Sequence, residues 1–307
     1  MMLRWFLNML MALFSSILTG VLIRINPGRV PTSDDLQKFI DVLLSNDIAH
    51  RGGSFDAPEN TMCAFNKALE HGYKVIEIDI QYTADGIPVV IHDETLDRTT
   101  NGNGMISDKT IKELKMLTAN SNFSDINDCK IPTLDETIEF AIANDIILLF
   151  DVKGGIFCSK ITNTLTQIKE KYPQFQNKFA VISFFPDVLH RVRKDHPTVF
   201  TGFTRRHDHI QNEALKAGYH SPSLHQFFFV SDKIFDFLMF YIFVPWMKIN
   251  MLEIRKDDVS ESYVRDVAPR PVLTWTVNDP VEKKFFKRIG CSVMTDIVSD
   301  GVSNVPN

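Results

Sequence analysis

From about residue 47 onward, short runs of β-branched and other apolar residues alternate with amphipathic stretches of helical length. Such runs predict buried strands, and apolar positions three or four residues apart predict helices. Thr133-Leu134-Asp135-Glu136, for example, reads as a capping box ahead of Ile138 and Ile142. This alternation predicts a parallel sheet, and so many units predict an α/β fold of the TIM (β/α)8 barrel type. The predicted strands are 47–50, 74–80, 88–92, 146–152, 179–183, 199–203, 250–254, 271–277 and 292–295.

The pattern yields one strand more than such a barrel holds. The connection between Ile80 and Pro88 is short and contains the turn-forming pair Asp85-Gly86. A crossover between parallel strands needs about a dozen residues or more. We therefore expect these two strands to form a hairpin-like excursion, or one of them to lie outside the barrel.

The barrel domain is predicted to span residues 31–307, with an aromatic-rich insertion at about 205–250. The longest uncharged run of the insertion, Phe237 to Met247, is too short to span a bilayer. Aromatic-rich amphipathic segments suit a membrane interface, so contact with a lipid bilayer is one interpretation. Packing of the same segment as a helix on the barrel is the other.

Residues 1–30 differ from the rest and predict a membrane anchor with a linker. Trp5 to Ile23 contains no charged residue, and as a helix it would be about 28 Å long, close to the thickness of a bilayer core. We expect a single-pass anchor with the barrel on the lumenal or extracellular side. A cleaved signal peptide is the rival interpretation, although its apolar region is usually shorter. Flanking arginines lie on both sides, so the positive-inside rule does not fix the orientation.

Composition narrows the classes of partner and redox chemistry. The 307-residue chain has a net charge of -5 and no basic block, so we expect no nucleic-acid partner. The sequon Asn122-Phe123-Ser124 would be glycosylated if the barrel faces a lumen. We expect mostly buried free thiols rather than a zinc site, because no C-x-x-C pair occurs. A lumenal location would instead allow one or two disulfide bonds. The cysteines are Cys63, Cys129, Cys158 and Cys291.

Charged residues end several of the predicted strands. Glu77 and Asp79 point to the same face of an apolar strand, because side chains alternate along a strand. Burying both carboxylates is costly without a partner, and Mg²⁺ or Ca²⁺ is a natural one. Asp151 and Lys153 share a face in the same way. Solvated strand ends or structural ion pairs are the alternative, but several such ends in one barrel favour a metal site.

Two histidines, His50 and His92, also fall at strand ends. Imidazole titrates near neutral pH, so the pair could serve as general acid and base. A lone histidine is more often structural, whereas two beside a carboxylate cluster favour catalysis. Arg51 and Lys153 are suited to holding a phosphate group.

The run from His50 to Gly104 resembles the signature of the glycerophosphodiester phosphodiesterase family, with its H-R-G, E-N-T, E-x-D and V-x-H-D elements in order. The similarity covers nearly the whole chain from residue 47 onward and is weakest at about 205–250. It continues through Ser183-Phe184, Trp275-Thr276-Val277-Asn278 and Thr295-Asp296. The amino-terminal segment, Asp151-Val152-Lys153-Gly154 and the insertion are similar to the membrane-anchored animal branch of that family.

The resemblance implies roles for individual residues. It implies a catalytic acid and base at His50 and His92. It implies metal ligands at Glu77 and Asp79, and a third at Asp151, where the wider family usually has glutamate. Asp151 is one methylene shorter, which leaves its contact with the ion open.

The resemblance also implies residues around the substrate. Arg51 and Lys153 match positions that contact phosphate. Glu59 lies near the metal, either as a direct ligand or one layer further out. Trp275 matches a position that packs near the substrate, with packing in the core as the alternative.

The expected reaction is hydrolysis of glycerophosphodiesters, assisted by one divalent cation, Mg²⁺ ahead of Ca²⁺. The attacking group is either the 2-hydroxyl of the glycerol or a water. The products would be glycerol 3-phosphate and an alcohol, with glycerophosphoinositol and glycerophospho-N-acylethanolamines as the expected membrane-associated substrates. Two alternatives remain: a lysophospholipase D, with the insertion as acyl site, and a non-catalytic membrane scaffold. The scaffold is disfavoured because both histidines and all three acidic positions are present.

Overall fold

The computed structural model describes residues 33–119, 128–153 and 160–299. Its centre is a closed barrel of parallel strands in which β1 pairs with both β2 and β9. The strands are β1 (Ile48–Ala49), β2 (Val75–Tyr82), β3 (Pro88–Val90), β4 (Ile147–Val152), β5 (Phe179–Ser183), β6 (Phe200–Arg205), β7 (Met251–Arg255), β8 (Val272–Trp275) and β9 (Cys291–Thr295). The TIM-barrel prediction is confirmed.

Strand β3 is the supernumerary one. It pairs antiparallel with β2, and β2 pairs onward with β4 in parallel register. The predicted hairpin-like excursion is therefore present, with the turn at Asp85-Gly86, where Gly86 has a positive φ of 78°. The excursion and the segment that follows it contain a separate small apolar cluster. Its buried members are Val89, Ile91, Leu96, Ile106, Leu114 and Ile131.

Helices surround the barrel and connect successive strands. Their apolar faces pack against the outer faces of the strands in one continuous core. The described helices are α1 (Ser33–Ser45), α2 (Met62–Glu70), α3 (Ile111–Met116), α4 (Leu134–Asn144), α5 (Lys160–Lys171), α6 (Pro186–Asp195), α7 (His209–Lys216), α8 (Pro222–Leu238), α9 (Val244–Trp246), α10 (Glu261–Val267) and α11 (Pro280–Arg288). The predicted capping box is present at α4, where the Thr133 hydroxyl accepts from the amide of Glu136.

The interior of the barrel is apolar at its amino end and polar at its carboxyl end. Helix α1 closes the amino end, because Phe39 and Leu43 join the interior apolar cluster and the Phe39 and Phe200 rings lie 4.4 Å apart. The polar side chains further along the strands therefore lie toward the carboxyl end, away from α1. This is the end at which TIM barrels place their active sites.

The predicted insertion at 205–250 contains the helical crossover between β6 and β7. One of its faces packs on the barrel through Met239, Phe243, Val244 and Met247, all buried. Another face is exposed and apolar, and its contact with a bilayer remains a prediction. The exposed residues are Phe227, Phe229, Val230, Ile234, Phe237, Tyr241 and Ile242.

The predicted single-pass localisation is contradicted. No helix among the described residues has both the length and the apolar character needed to cross a membrane. Trp5 to Ile23, on which the prediction rested, lies outside the described residues, as does the sequon at 122–124. α8 spans 17 residues and continues through a π-helical turn, Met239–Phe243, into α9. This run contains the charged residues Asp232, Lys233 and Asp236.

The expectation of free thiols is corrected for two of the cysteines. Cys63 on α2 and Cys129 form a disulfide across 66 residues of sequence. Cys291 is a buried free thiol, as expected, and Cys158 lies outside the described residues. The two bonded cysteines are distant in sequence, so their proximity arises only when the excursion after β2 folds back onto α2.

Candidate active site

Three carboxylates meet at the carboxyl end of the barrel. Glu77 and Asp79 lie on β2, and Asp151 on β4 is paired in register with Asp79. All three are buried, and an oxygen from each lies within 4.8 Å of the others. The predicted pairing of carboxylates on one face of β2 is therefore extended by the neighbouring strand into a compact cluster.

The cluster is electrostatically unbalanced. Burial and the charges of Asp79 and Asp151 raise the pKa of Glu77 well above its usual value. Burial likewise raises the pKa of Asp151, although Lys153 opposes the shift. Asp79 differs: burial would raise its pKa, but Lys153 and Arg51 hold the pKa well below the usual value. An added positive charge at this position would stabilise the ionised form of all three groups.

The donor set fits a hard divalent cation. Asp151 Oδ1 is buried and has no hydrogen-bond partner among the described residues. An unpaired buried carboxylate oxygen is costly, and an ion would satisfy it. Oxygen-only ligands of this kind suit Mg²⁺ and Ca²⁺. Glu77, Asp79 and Asp151 could therefore bind one divalent cation.

Two cations flank the carboxylates. Lys153 forms ion pairs with Asp151 and, at 3.0 Å, with Asp79 Oδ1. The guanidinium of Arg51 lies 3.3 Å from Asp79 Oδ2 and 2.9 Å from Glu59 Oε1. Both predicted phosphate-contacting residues thus border the cluster.

The turn after β1 explains the H-R-G motif. His50, Arg51 and Gly52 form a single 3₁₀ turn in which Arg51 has a φ of 53°, and the Arg51 amide donates to Glu77 Oε2 at 3.0 Å. A Cβ on Gly52 would lie 2.6 Å from the Phe65 ring, and the φ of Gly52 is 81°. Glycine is therefore required there on both steric and conformational grounds.

The E-N-T motif supports the same cluster. The Asn60 side chain donates to Asp79 Oδ2 at 2.8 Å and accepts from the Asp79 amide at 3.2 Å. The next residue, Thr61, caps α2 by accepting from the amide of Ala64. The motif thus joins a side-chain amide that orients Asp79 to the residue that begins helix α2.

His50 is held in place by an aspartate. Its Nδ1 lies 2.6 Å from Asp296 Oδ1, and its Nε2 lies 3.9 Å from Glu77 Oε2. Burial opposes ionisation of Asp296, but hydrogen bonds from His50, Asn278 and Ser54 hold its pKa below the usual value. The Nε2 of His50 is therefore directed toward the carboxylate cluster.

His92 is oriented in the same way. Its Nδ1 lies 2.6 Å from Asp93 Oδ1, and Arg98 holds Asp93 in turn. Burial lowers the pKa of His92, and the charge of Asp79 offsets this only in part. The ring is therefore neutral at neutral pH, which suits a general base.

Glu59 lies outside the three-carboxylate cluster. Its carboxylate accepts hydrogen bonds from Arg51 and from both Nη1 and Nη2 of Arg98. It thereby links Arg51, which contacts Asp79, to Arg98, which contacts Asp93. This geometry favours the prediction that Glu59 lies one layer outside the metal site over the prediction that it is a direct metal ligand.

An aromatic wall lines one side of the opening. Trp275 at the end of β8 meets Phe184 edge-on with ring centroids 5.9 Å apart, and His209 of α7 stacks on Phe184 at 5.3 Å. Lys153 Nζ lies 5.9 Å from the Phe184 centroid. Trp275 Nε1 is buried without a hydrogen-bond partner among the described residues. Trp275 thus lies beside the ring that Lys153 approaches, while its own ring also touches the interior cluster.

Sequence reasoning missed several polar groups at this end. Glu253 on β7 is buried and accepts from the Thr204 hydroxyl at 2.5 Å. Burial, followed by the charge of Asp151, raises the pKa of Glu253 to about 8. A single carboxylate inside the apolar run Met251–Ile254 was the signal that could have found it. The orienting roles of Asp93 and Asp296 were missed because they depend on contacts formed only in the fold.

Known proteins share both the sequence and the architecture. The model of the glycerophosphoryl diester phosphodiesterase family matches residues 50–299. The human protein glycerophosphodiester phosphodiesterase 1 is 36% identical over 256 residues, which cover 81% of this chain and 77% of the human one. A glycerophosphodiester phosphodiesterase of Caldanaerobacter subterraneus is 38% identical over 184 residues, covering 59% of this chain and 75% of that one.

A solved structure gives the same result. The phosphodiesterase of Oleispira antarctica, in complex with the product sn-glycerol-3-phosphate, superposes with a TM-score of 0.67 at 26% identity. The similarity covers 85% of this chain and 96% of that one. The chain therefore belongs to the glycerophosphoryl diester phosphodiesterase family, which confirms the resemblance and the expected enzyme class.

Proposed function

We propose that this site hydrolyses glycerophosphodiesters, such as glycerophosphoinositol or glycerophospho-N-acylethanolamines, to glycerol 3-phosphate and an alcohol with the help of Mg²⁺. The observation that carries the proposal is the arrangement of two aspartate-oriented histidines around three buried carboxylates and Lys153. The product named in the Oleispira antarctica complex supports the same substrate class.

The phosphate group would lie over the carboxylates. Glu77, Asp79 and Asp151 would hold the cation, which supplies charge neutralisation at a phosphate oxygen when bound. Arg51 and Lys153 would contact other phosphate oxygens, because both cations border the cluster. The carboxylates would then be balanced by the cation, leaving the two side chains free to serve the substrate.

The histidines would move the protons. His92, neutral because burial lowers its pKa, would accept the proton of the attacking hydroxyl or water. His50, held by Asp296, would give a proton to the oxygen of the departing alcohol. Both rings have Nδ1 engaged by an aspartate, so Nε2 is the atom that would exchange protons.

The test identifies which bond is broken. Glycerophosphoinositol is incubated with the purified protein, Mg²⁺, Ca²⁺ or EDTA, and the products are resolved by chromatography. The proposal requires glycerol 3-phosphate and free inositol, formed only with a divalent cation. Release of glycerol and inositol phosphate, or product formation at full rate in EDTA, would overturn it.

A further inference from the structure

The loop that follows β3 forms a unit of its own at the carboxyl end of the barrel. Its two sides meet in an antiparallel bridge between Thr95 and Met105. Leu96 packs in the small apolar cluster of the excursion rather than in the barrel core. Residues 93–106, called the base loop here because His92 precedes them, are therefore positioned over the site by contacts other than core packing.

Arg98, in the base loop, holds two carboxylates at once. Its Nε and Nη2 donate to Asp93 Oδ2 and Oδ1 at 2.7 and 2.9 Å. Its Nη1 and Nη2 donate to Glu59 Oε2 and Oε1, both at 2.8 Å. Both contacts are bidentate, because the planar guanidinium presents several donors in a fixed geometry. A single ammonium group does not reproduce this arrangement.

The two carboxylates serve different parts of the proposed reaction. Asp93 Oδ1 lies 2.6 Å from Nδ1 of His92, the proposed base. Glu59 Oε1 accepts at 2.9 Å from Arg51, a proposed phosphate contact. Arg98 is therefore the middle member of a chain of contacts that runs from the base to the phosphate side of the site.

A covalent tie joins the same two segments of the chain. The Arg98 side chain is 49% exposed, and an isolated ion pair at such a position contributes little. Cys63, however, follows the segment that contains Glu59, and it is bonded to Cys129, where the excursion returns to the barrel. The bridge keeps the two segments close, so the arginine contacts form with little further loss of chain entropy.

We infer that Arg98 is a positioning residue for the reaction, an inference that rests on the proposed function. Through Asp93 it orients the base His92, and through Glu59 it fixes that base relative to the phosphate side. Loss of these contacts leaves the groups that bind the substrate in place and displaces the base. The expected result is a fall in kcat that exceeds any rise in KM.

Steady-state hydrolysis of glycerophosphoinositol gives the first test. Arg98→Gln should lower kcat about tenfold or more and change KM by less than about threefold. Arg98→Lys keeps the charge but loses the bidentate contacts, so it should not restore kcat. Arg265→Gln removes an exposed arginine of α10 and should change neither constant. Wild-type kcat in Arg98→Gln, or full recovery in Arg98→Lys, would overturn the inference.

A mutant cycle separates positioning from a general loss of stability. Glu59 and Asp93 both accept from Arg98, which joins them. The effects of Glu59→Gln and Asp93→Asn on kcat should therefore be non-additive in the wild-type background and additive in the Arg98→Gln background. Additive effects in both backgrounds would contradict the inference.

Hydrogen exchange gives a readout that does not need turnover. In Arg98→Gln and Arg98→Lys, the amides of residues 94–106 should exchange faster, while those of β4 and β5 keep the wild-type rate. Unchanged exchange in the base loop, or equally faster exchange throughout the barrel, would overturn the inference. If the wild-type protein shows no turnover, the proposed function falls, and this comparison still decides whether Arg98 holds the base loop.

Discussion

At the scale of single residues, the two histidines share one device, an aspartate on Nδ1. Asp296 is itself fixed by Ser54 and Asn278, and Asp93 by Arg98. These contacts fix the ring orientation and leave Nε2 of each ring as the nitrogen that would exchange protons in the proposed reaction. The aspartates are therefore expected to act through the histidines rather than on the substrate.

Removal of the imidazoles should remove most of the rate. We expect His50→Ala and His92→Ala each to lower kcat by about 10²-fold or more, the usual contribution of a general acid or base. Steady-state release of glycerol 3-phosphate measures this, with His71→Ala on the C-cap of α2 as a control. Near-normal kcat in both variants would contradict the acid and base roles.

Asp296→Asn tests positioning. The amide cannot hold the ring through a charge, so we expect a lower kcat with little change in KM. A folding defect would lower the thermal unfolding midpoint together with kcat, whereas loss of ring orientation should lower kcat and leave the midpoint unchanged. An unchanged kcat in a stably folded variant would show that the Asp296 contact is not needed.

The pH profile should report His92. Because burial lowers its pKa, kcat/KM should stay high down to pH values below 6.5 and fall as the ring becomes protonated. The hydrogen bond to Asp93 raises this pKa, so Asp93→Asn should move the acid limb to still lower pH. An acid limb that moves upward in Asp93→Asn would contradict the assignment of His92 as the base.

Many of the site residues could be predicted from the sequence, because the motifs that contain them are local. Residues that are close in sequence, such as Glu77 and Asp79, share a face through strand alternation alone. Glu253 and Asp296 were not assigned, because their roles depend on strands that meet only when the barrel closes. Glu59 was predicted near the site, but the sequence did not show whether it contacts the metal or arginine side chains. The position of Arg98, which the fold determines, decides this.

At the scale of elements, strand positions followed the apolar runs to within a few residues, because buried parallel strands are nearly continuous apolar segments. The hairpin formed by β2 and β3 followed from a connection too short for a crossover. The aromatic insertion was harder to interpret, because its pattern suits both a packed helix and an exposed one. Both faces are present, with Phe243 buried and Tyr241 exposed.

The capping box of α4 offers a test that is independent of the site. Thr133→Ala removes the hydroxyl that accepts from the Glu136 amide, and we expect a loss of about 1 kcal/mol in the free energy of unfolding. Chemical denaturation measures this, and kcat should not change. Ser45→Ala, in the last turn of α1, is a matched hydroxyl deletion away from any N-cap. An equal loss in both variants would mean that the cap makes no special contribution.

The disulfide gives a larger expected effect. Cys63→Ser opens a loop of 66 residues, which should lower the stability by about 2–4 kcal/mol. Reduction of the wild-type protein should lower its unfolding midpoint to a similar extent. Cys291→Ser keeps the bridge, so reduction should lower its unfolding midpoint by the same amount as that of the wild-type protein. Equal midpoints for oxidised and reduced wild-type protein would contradict this bridge.

At the scale of the whole molecule, closure of the barrel brings the parts of the site together. Glu77, Asp79 and Asp151 come from adjacent strands, while His50 lies after β1 and His92 after the β3 excursion. The fold class was predictable from strand–helix alternation. The prediction of a single-pass localisation was wrong, because no described helix has the length and apolar character needed to cross a membrane. That prediction rested on the hydropathy of Trp5–Ile23, which lies outside the described residues.

The most direct test of the central claim is metal dependence of turnover at the three-carboxylate cluster. Protein stripped with EDTA is titrated with Mg²⁺ while glycerol 3-phosphate release from glycerophosphoinositol is recorded, for wild type and for Asp79→Asn. We expect saturable recovery of activity in the wild type and a strongly raised Mg²⁺ requirement, or no recovery, in the variant. Full activity in stripped protein, or identical Mg²⁺ titrations for both proteins, would contradict the account.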